Sequence, residues 1–204
     1  MKFIKWKSLV VTCIVCLLPV FLGVYLWDAL PDEIAIHFNL YNVPDNFASK
    51  VFVVFGLPAL MAVLQIFCCI INDINARKYG ERKKFEMATK WIIPAMSVVL
   101  QTITLGYGLG WSIDIRKAVA LIIGIIFLII GNYLPKLDYV NNYDIDTQKA
   151  RKINRFIGFE TVVMGLLSFV SIFMTPIATV IWLFLLIPYA AAGVIYGIRV
   201  VRNK

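Results

Sequence analysis

Six apolar stretches decide what this chain can become. Each is long enough, or nearly long enough, to cross ~30 Å of hydrocarbon, which takes about 20 helical residues. They run Ser8–Trp27, Val51–Ile71, Trp91–Ser112, Ala118–Leu134, Phe156–Met174 and Ile177–Ile198. Without water to satisfy N–H and C=O groups, such segments must be helices or a closed barrel, and uninterrupted apolar runs choose helices. The apolar fraction of 61% and mean hydropathy of +0.82 exceed what a soluble domain carries. The expectation is an all-α integral membrane protein. It is a bundle of six transmembrane helices in one domain, residues 1–204, with an N-terminal half 1–90 and a C-terminal half 91–204. An ordered extracytoplasmic loop, 28–50, follows the first helix.

Charge sets the orientation. Seventeen of the 20 lysines and arginines fall at the N-terminus, in 72–90, in 135–155 and at the C-terminus. Lys50, Arg116 and Lys117 fall on the other side. Basic groups beside a span resist translocation, so both termini are expected in the cytoplasm of a multi-pass plasma-membrane protein. The formal charge of +8 belongs to bases flanking spans. Anionic lipid is therefore the expected partner, and direct nucleic-acid binding is not. Trp27 and Trp111 at outer boundaries, with Trp6 and Trp91 at inner ones, match the interfacial preference of amphipathic rings.

The N-terminal Lys2, Lys5 and Lys7 before a long apolar run resemble a secretory signal, but the run is too long and lacks a small-x-small end, so an uncleaved anchor is expected. Cys13, Cys16, Cys68 and Cys69 lie within apolar stretches, which favours free thiols over a metal centre. No cofactor, metal set or catalytic constellation stands out. Prolines 19, 58, 94 and 188 fall within spans, where neighbours are expected to satisfy the carbonyls they free.

Polar groups inside spans are few. Gln65 and Gln101 lie at comparable depth in adjacent spans and are placed to bond each other. Glu160 reads as the sole carboxylate within a span, a functional candidate by default, with a competing reading in which it snorkels toward Arg155 or Arg199. Gly106 to Gly110 lacks the strand that a nucleotide fingerprint needs. Its 106/110 spacing, like Gly193/Gly197, reads as close helix packing.

The 28–50 segment is the most distinctive polar stretch. It holds four acids, Asp28, Asp32, Glu33 and Asp45, against one base, Lys50. Ile34, Ile36 and Phe38 alternate with Ala35 and His37, as in a strand, and Asn39 to Asp45 is rich in turn formers, with Asn42 suited to positive φ. Asp32, Glu33, His37, Asn39 and Asp45 are the candidate ligand-facing or loop-ordering residues. Simple ordering by hydrogen bonds is the competing reading for His37, Asn39 and Asp45.

This loop resembles the opening signature of the SdpI family of bacterial immunity proteins, a Leu-Pro-x-x-Ile-x-x-His-Phe-Asn stretch followed by a glycine turn, Asp and Ser-Lys. Leu30, Pro31, Ile34, His37, Phe38, Asn39, Asp45, Ser49 and Lys50 stand in place, with Asn42 where the family generally has glycine. Gly131-Asn132-Tyr133-Leu134-Pro135-Lys136 resembles the family's Gly-Asn-x-x-Pro-Lys, and Arg151-Lys152-Ile153-Asn154-Arg155-Phe156-Ile157-Gly158 is similar to its Arg-Lys-Thr-His-Arg-Phe-x-Gly. Between them, Tyr143 to Gln148 replaces the family's Ile-Gly-Ile-Arg-Thr-Pro-Trp-Thr-Leu, and Ala150 and Asn154 replace its tryptophan and histidine.

The resemblance implies a non-enzymatic protein that protects its cell against a secreted, membrane-active antimicrobial peptide. It also implies sensing of that toxin and recruitment of a cytoplasmic repressor to the membrane. The outer loop would meet the peptide. Arg151, Lys152 and Arg155 would meet a partner or, more simply, anionic lipid. A small transporter or channel using Gln65, Gln101 and Glu160 is the first alternative, and an intramembrane enzyme the second.

Overall fold

A computed structural model of the chain describes residues 4–39, 41–137 and 147–202. The described residues form helices and one two-stranded hairpin. The first span is α1 (Trp6–Leu17) and α2 (Pro19–Tyr25), divided at the first in-span proline. Strands β1 (Glu33–Phe38) and β2 (Pro44–Ser49) pair antiparallel. A single π-helical stretch, Phe52–Gly56, leads into α3 (Leu57–Tyr79). The remaining spans are α4 (Lys83–Gly108), α5 (Ile115–Tyr133), α6 (Thr147–Ser171) and α7 (Pro176–Arg202).

Six helical segments are long and apolar enough to cross a membrane. Their outer surfaces agree: Phe21, Tyr25, Phe184 and Ile187 expose most of their area. That is untenable for a water-soluble monomer and ordinary for a lipid-facing one. The protein is therefore a multi-pass membrane protein. The expected boundaries shift, however. The second span runs Phe52–Lys78 and the third Lys83–Gly108, so helix continues well past the apolar core into charged sequence. This corrects the reading of Glu160 as the sole carboxylate in a span, because Asp73 and Glu86 also lie in spanning helices.

The chain divides into two compact units, Met1–Asn75 with Glu86–Ile115, and Ala76–Phe85 with Arg116–Lys204. In the first unit, the buried faces of three spans recur in steps of three and four residues. They are Thr12, Cys16, Pro19 and Gly23; Pro58, Ala62, Gln65, Cys69 and Asp73; and Glu86, Lys90, Pro94, Ser97, Gln101 and Leu105. Apart from the prolines and Leu105, these stripes are polar or small. The helices are amphipathic inside out, apolar toward lipid and polar toward each other, as expected where lipid is as apolar as leucine.

In the second unit, α5 and α6 meet through glycines seven residues apart on each helix. A Cβ at Gly124 would lie 3.1 Å from the Gly165 carbonyl oxygen, and one at Gly131 would lie 2.8 Å from that of Gly158. The order is antiparallel, and the seven-residue period keeps one seam facing the partner. Gly193 and Gly197 face Ile157 and Ile153 at 3.5 and 3.7 Å, as the small-residue spacing suggests.

The 106/110 pair does not behave that way. Gly110 takes φ +85° past the end of α4, the Trp111 N–H donates to the Gly106 carbonyl at 3.0 Å, and the Gly110 N–H donates to Tyr107 at 2.9 Å. This is a Schellman stop, in which the left-handed residue turns the last carbonyls inward. The Trp111 ring lies where a Gly106 Cβ would be.

Candidate functional site

Two arrangements in the first unit gather the polar chemistry. The first is the β1–β2 hairpin, and the second is the polar seam beneath it.

Apolar residues seat the hairpin. Leu30 and Ile34 are buried with Val53, Val54 and Leu105, and Trp27, Ala48 and Leu109 pack around them. Alternation in β1 breaks at Ile36: Ala35 pairs with Phe47 and His37 with Asn46, so one residue bulges. A compensating irregularity follows, with Phe38 opposite Pro44, and a bulge re-aims the side chains beside it. His37 and Asp45 meet there, Nδ1 to Oδ1 at 2.5 Å. The strand expected around Ile34–Phe38 is present. Its partner β2 has no counterpart in the sequence reading, because it opens on Pro44, Asp45 and Asn46, all poor strand formers.

Asn39 and Asn42 build the tip. The Asn39 side-chain oxygen accepts from Tyr41 N at 2.9 Å and Val43 N at 3.1 Å, an Asx turn. Asn42 sits at φ +61°, the left-handed position its side chain tolerates. That side chain also docks the tip: its amide donates to Ile113 O at 3.0 Å and its oxygen accepts from Ile115 N at 2.8 Å. Asn42→Gly is expected to keep the turn and remove the dock, losing about 1–2 kcal/mol of anchoring. Asn42→Val loses both. Amide exchange of residues 41–46 reads the difference, and equal protection in all three proteins would contradict the dock.

At the hairpin base, Lys50 is turned inward. Its N–H donates to Asp32 O at 2.7 Å, and its Nζ lies 2.9 Å from Leu30 O, 3.3 Å from Trp27 O and 3.3 Å from Asp32 Oδ1. The ammonium also sits 5.1 Å from the Trp27 ring centre. Its side chain is 15% exposed, whereas that of Asp32 is 98% exposed. Glu33, paired with Ser49 in register, is exposed as well. Asp32, Glu33 and His37 are not drawn into one cluster.

In the seam, Lys90 Nζ meets Asp73 Oδ1 at 2.6 Å, with side-chain exposures of 4% and 0%. Asp73 Oδ2 accepts the backbone N–H of Lys5 at 2.9 Å, at the start of α1. Lys5 Nζ reaches Glu86 Oε2 at 2.7 Å. A carboxylate on α3 thus serves a helix N-terminus that has no side-chain cap of its own. Sequence reading missed this cluster because the residues sit beyond the apolar cores. The available signal was helical spacing: Glu86, Lys90, Pro94, Ser97 and Gln101 fall on one face of α4.

The glutamines answer the prolines instead of each other. Pro94 has no N–H for the carbonyl four residues back, Lys90 O, and Gln65 Nε2 donates to it at 2.9 Å. In the π-helical stretch the carbonyl five residues before Pro58 is Val53 O, and Gln101 Nε2 donates to it at 2.7 Å. The expected Gln65–Gln101 bond is therefore overturned, because each amide is held by a freed carbonyl. Gln101→Leu is expected to cost about 1–3 kcal/mol by stranding Val53 O, seen as a lower unfolding midpoint in detergent. An unchanged midpoint would refute that assignment. Around the seam, Ser97 Oγ donates to Cys16 O at 2.8 Å, and Thr12 Oγ1 lies 3.6 Å from Cys69 Sγ. All four cysteines are free.

The remaining candidates lie in the second unit. Glu160 makes no ion pair with Arg155 or Arg199 among the described residues, and its Oε2 is buried without a hydrogen-bond partner there. The pairing with Arg155 or Arg199 is thus not formed among the described residues. Arg151, Lys152 and Arg155 are exposed on one face of α6, opposite buried Ala150, Asn154 and Gly158. Asn154 donates to Leu137 O at 2.8 Å, and Gly158 packs against Pro135 and Gly131. The two C-terminal segments of the family resemblance therefore meet in space. Tyr143, Asp144, Ile145 and Asp146, where the chain departs from that resemblance, lie outside the described residues. Among the described residues no group of three His, Cys, Asp or Glu is placed to hold a metal.

No curated protein and no solved structure matches the chain. One family matches over residues 14–62, a domain of unknown function, DUF1648, spanning the first helices, the whole hairpin and the start of α3.

Proposed function

We propose that this is a membrane immunity protein that intercepts a cationic, membrane-active peptide at the 28–50 hairpin. Both termini are cytoplasmic in this reading, so the hairpin stands outside. The observation that carries it is the hairpin's charge arrangement: carboxylates face outward while the one base, Lys50, is folded inward and internally satisfied. The exposed surface is more acidic than the composition implies, which steers and retains cations. Likeness to immunity proteins in the hairpin signature supports the same reading. Recruitment of a cytoplasmic repressor through Arg151, Lys152 and Arg155 is a further part of the proposal, with anionic lipid as the competing contact.

Expression in a sensitive strain is expected to raise the tolerated peptide concentration. Changing Asp28, Asp32 and Glu33 to lysine should cut that tolerance by about tenfold or more, at an unchanged membrane level. Protection that survives the reversal would remove the hairpin from the mechanism. Orientation is checked by single cysteines at Tyr41 and Gly80 in a cysteine-free background. Impermeant maleimide on intact cells should label the first and spare the second, and the opposite pattern would invert the topology.

The buried Asp73–Lys90–Lys5–Glu86 cluster favours a second reading, a small transporter, since ionic groups inside a span often mark a transport path. Proteoliposome flux discriminates. A flux abolished by the double change Asp73→Leu, Lys90→Met at normal protein level supports transport, and peptide protection that survives the same change supports interception.

A further inference from the structure

A cleft of about 510 Å³ opens where the hairpin tip meets the turn after α4. Its walls are set before any ligand arrives. The Trp111 indole lies flat over Gly106, which leaves its other face open, and the residue is 56% exposed. Tyr107 is braced by Phe38 in an edge-to-face contact, with centroids 4.7 Å apart and planes at 82°. Asn42 closes one side, its carboxamide engaged by Ile113 and Ile115. Ser112 and Asp114 complete the lining, so two aromatic residues, a serine and an aspartate border the cleft.

We propose that this cleft holds one organic cation, the guanidinium or ammonium head of a basic peptide side chain, against the open Trp111 face and the Asp114 carboxylate. The assignment rests on the interception reading and names its contact. Each wall argues for it. An indole face attracts cations through its quadrupole, and more so where water is partly excluded. A carboxylate offers about four lone-pair sites, enough to accept a guanidinium alongside another partner. Calcium or magnesium needs six or more oxygen ligands, and zinc needs histidine or cysteine, neither of which lines the cleft. The cation is organic because the aromatic walls bind its carbon skeleton too. Arginine suits the site better than lysine, since its planar head stacks on indole and forks onto carboxylate together. The site is fixed by a glycine, a ring contact and a carboxamide dock, so little ordering opposes binding.

The test uses the full chain in dodecyl maltoside micelles, labelled with 5-fluorotryptophan, with the Trp111 ¹⁹F resonance assigned from Trp111→Phe. N-acetyl-arginine methylamide should shift that resonance saturably in the millimolar range, and the lysine amide should do so a few-fold more weakly. The norleucine amide should leave it in place. Asp114→Asn should weaken the arginine amide about five- to tenfold. Glu81→Gln, an exposed acid in the turn between α3 and α4, should change nothing.

Folding of each variant is read from the other four tryptophan resonances. If Asp114→Asn disturbs them, weakening of the wild-type response by added salt replaces it, because an ion pair is screened and apolar stacking is not. An equal shift from the norleucine amide, no saturation, or indifference to both Asp114→Asn and salt would overturn the proposal. Tighter binding of glycerophosphocholine than of the arginine amide would overturn it as well, by making the cleft a lipid-headgroup site. None of these readings needs a toxin. If they fail while hairpin charge reversal still abolishes protection, interception stands and acts elsewhere on the hairpin. If they succeed without protection, the site stands and the proposed function falls.

Discussion

Lys90→Met alone is expected to cost about 3–5 kcal/mol, the largest loss for any single substitution in the seam. The change leaves the Asp73 carboxylate fully buried with one backbone N–H and no counter-charge. An uncompensated charge in low dielectric is far costlier than a missing hydrogen bond. The loss should appear as a lower midpoint of heat-induced aggregation in detergent and reduced membrane level. Adding Asp73→Leu should restore most of the midpoint, since removing both members of a buried pair is often neutral. A single variant as stable as the parent would show that the pair is not ionised and buried as described. Lys5→Met should matter less, because the Lys5 side chain is 38% exposed and solvent screens its charge.

The second large effect belongs to the glycine seam of the other unit. At Gly131 an added Cβ would lie 2.8 Å from both Gly158 O and Val162 N. Both are backbone atoms, so neither can swing aside and the helices themselves must separate. Gly131→Ala is expected to lower stability by about 1–3 kcal/mol, with Gly131→Val lowering it further. Gly193→Ala is the matched control: its nearest neighbour is 3.5 Å away, an ordinary contact. There the helix-propensity gain of up to about 1 kcal/mol goes unopposed, so stability should hold or rise. The same detergent midpoint reads all three proteins. Equal behaviour of Gly131→Ala and Gly193→Ala would mean that α5 and α6 are not in backbone contact.

These contrasts show where the sequence was legible. Long apolar runs exposed the six spans, because nothing else satisfies a backbone in hydrocarbon. The alternation of Ile34, Ile36 and Phe38 announced β1, and Asn42 its left-handed turn. The seam was illegible for a definite reason. Hydropathy locates the lipid-facing surface, and Asp73, Glu86 and Lys90 lie where apolar sequence gives way to charge. They read as loop until the helices are seen to continue. The glutamines were misread in a related way: their partners are backbone carbonyls, freed by Pro94 and by Pro58 acting through a π-helical stretch that leaves no compositional mark. The Gly106–Gly110 run was misread because the same residue type serves a helix crossing and a helix stop.

The sequence by itself determined that the described chain carries six helices long and apolar enough to cross a membrane, with an acidic stretch after the first. Apolar length and local turn chemistry are properties of contiguous residues. Tertiary structure alone decided which polar groups meet: Asp73 with Lys90 and Lys5, Gln101 with Val53, Asn42 with Ile113 and Ile115, Gly131 with Gly158. Those pairings join residues from 17 to 73 positions apart. Helix phase and the register between elements set them, and neither is written in any single segment.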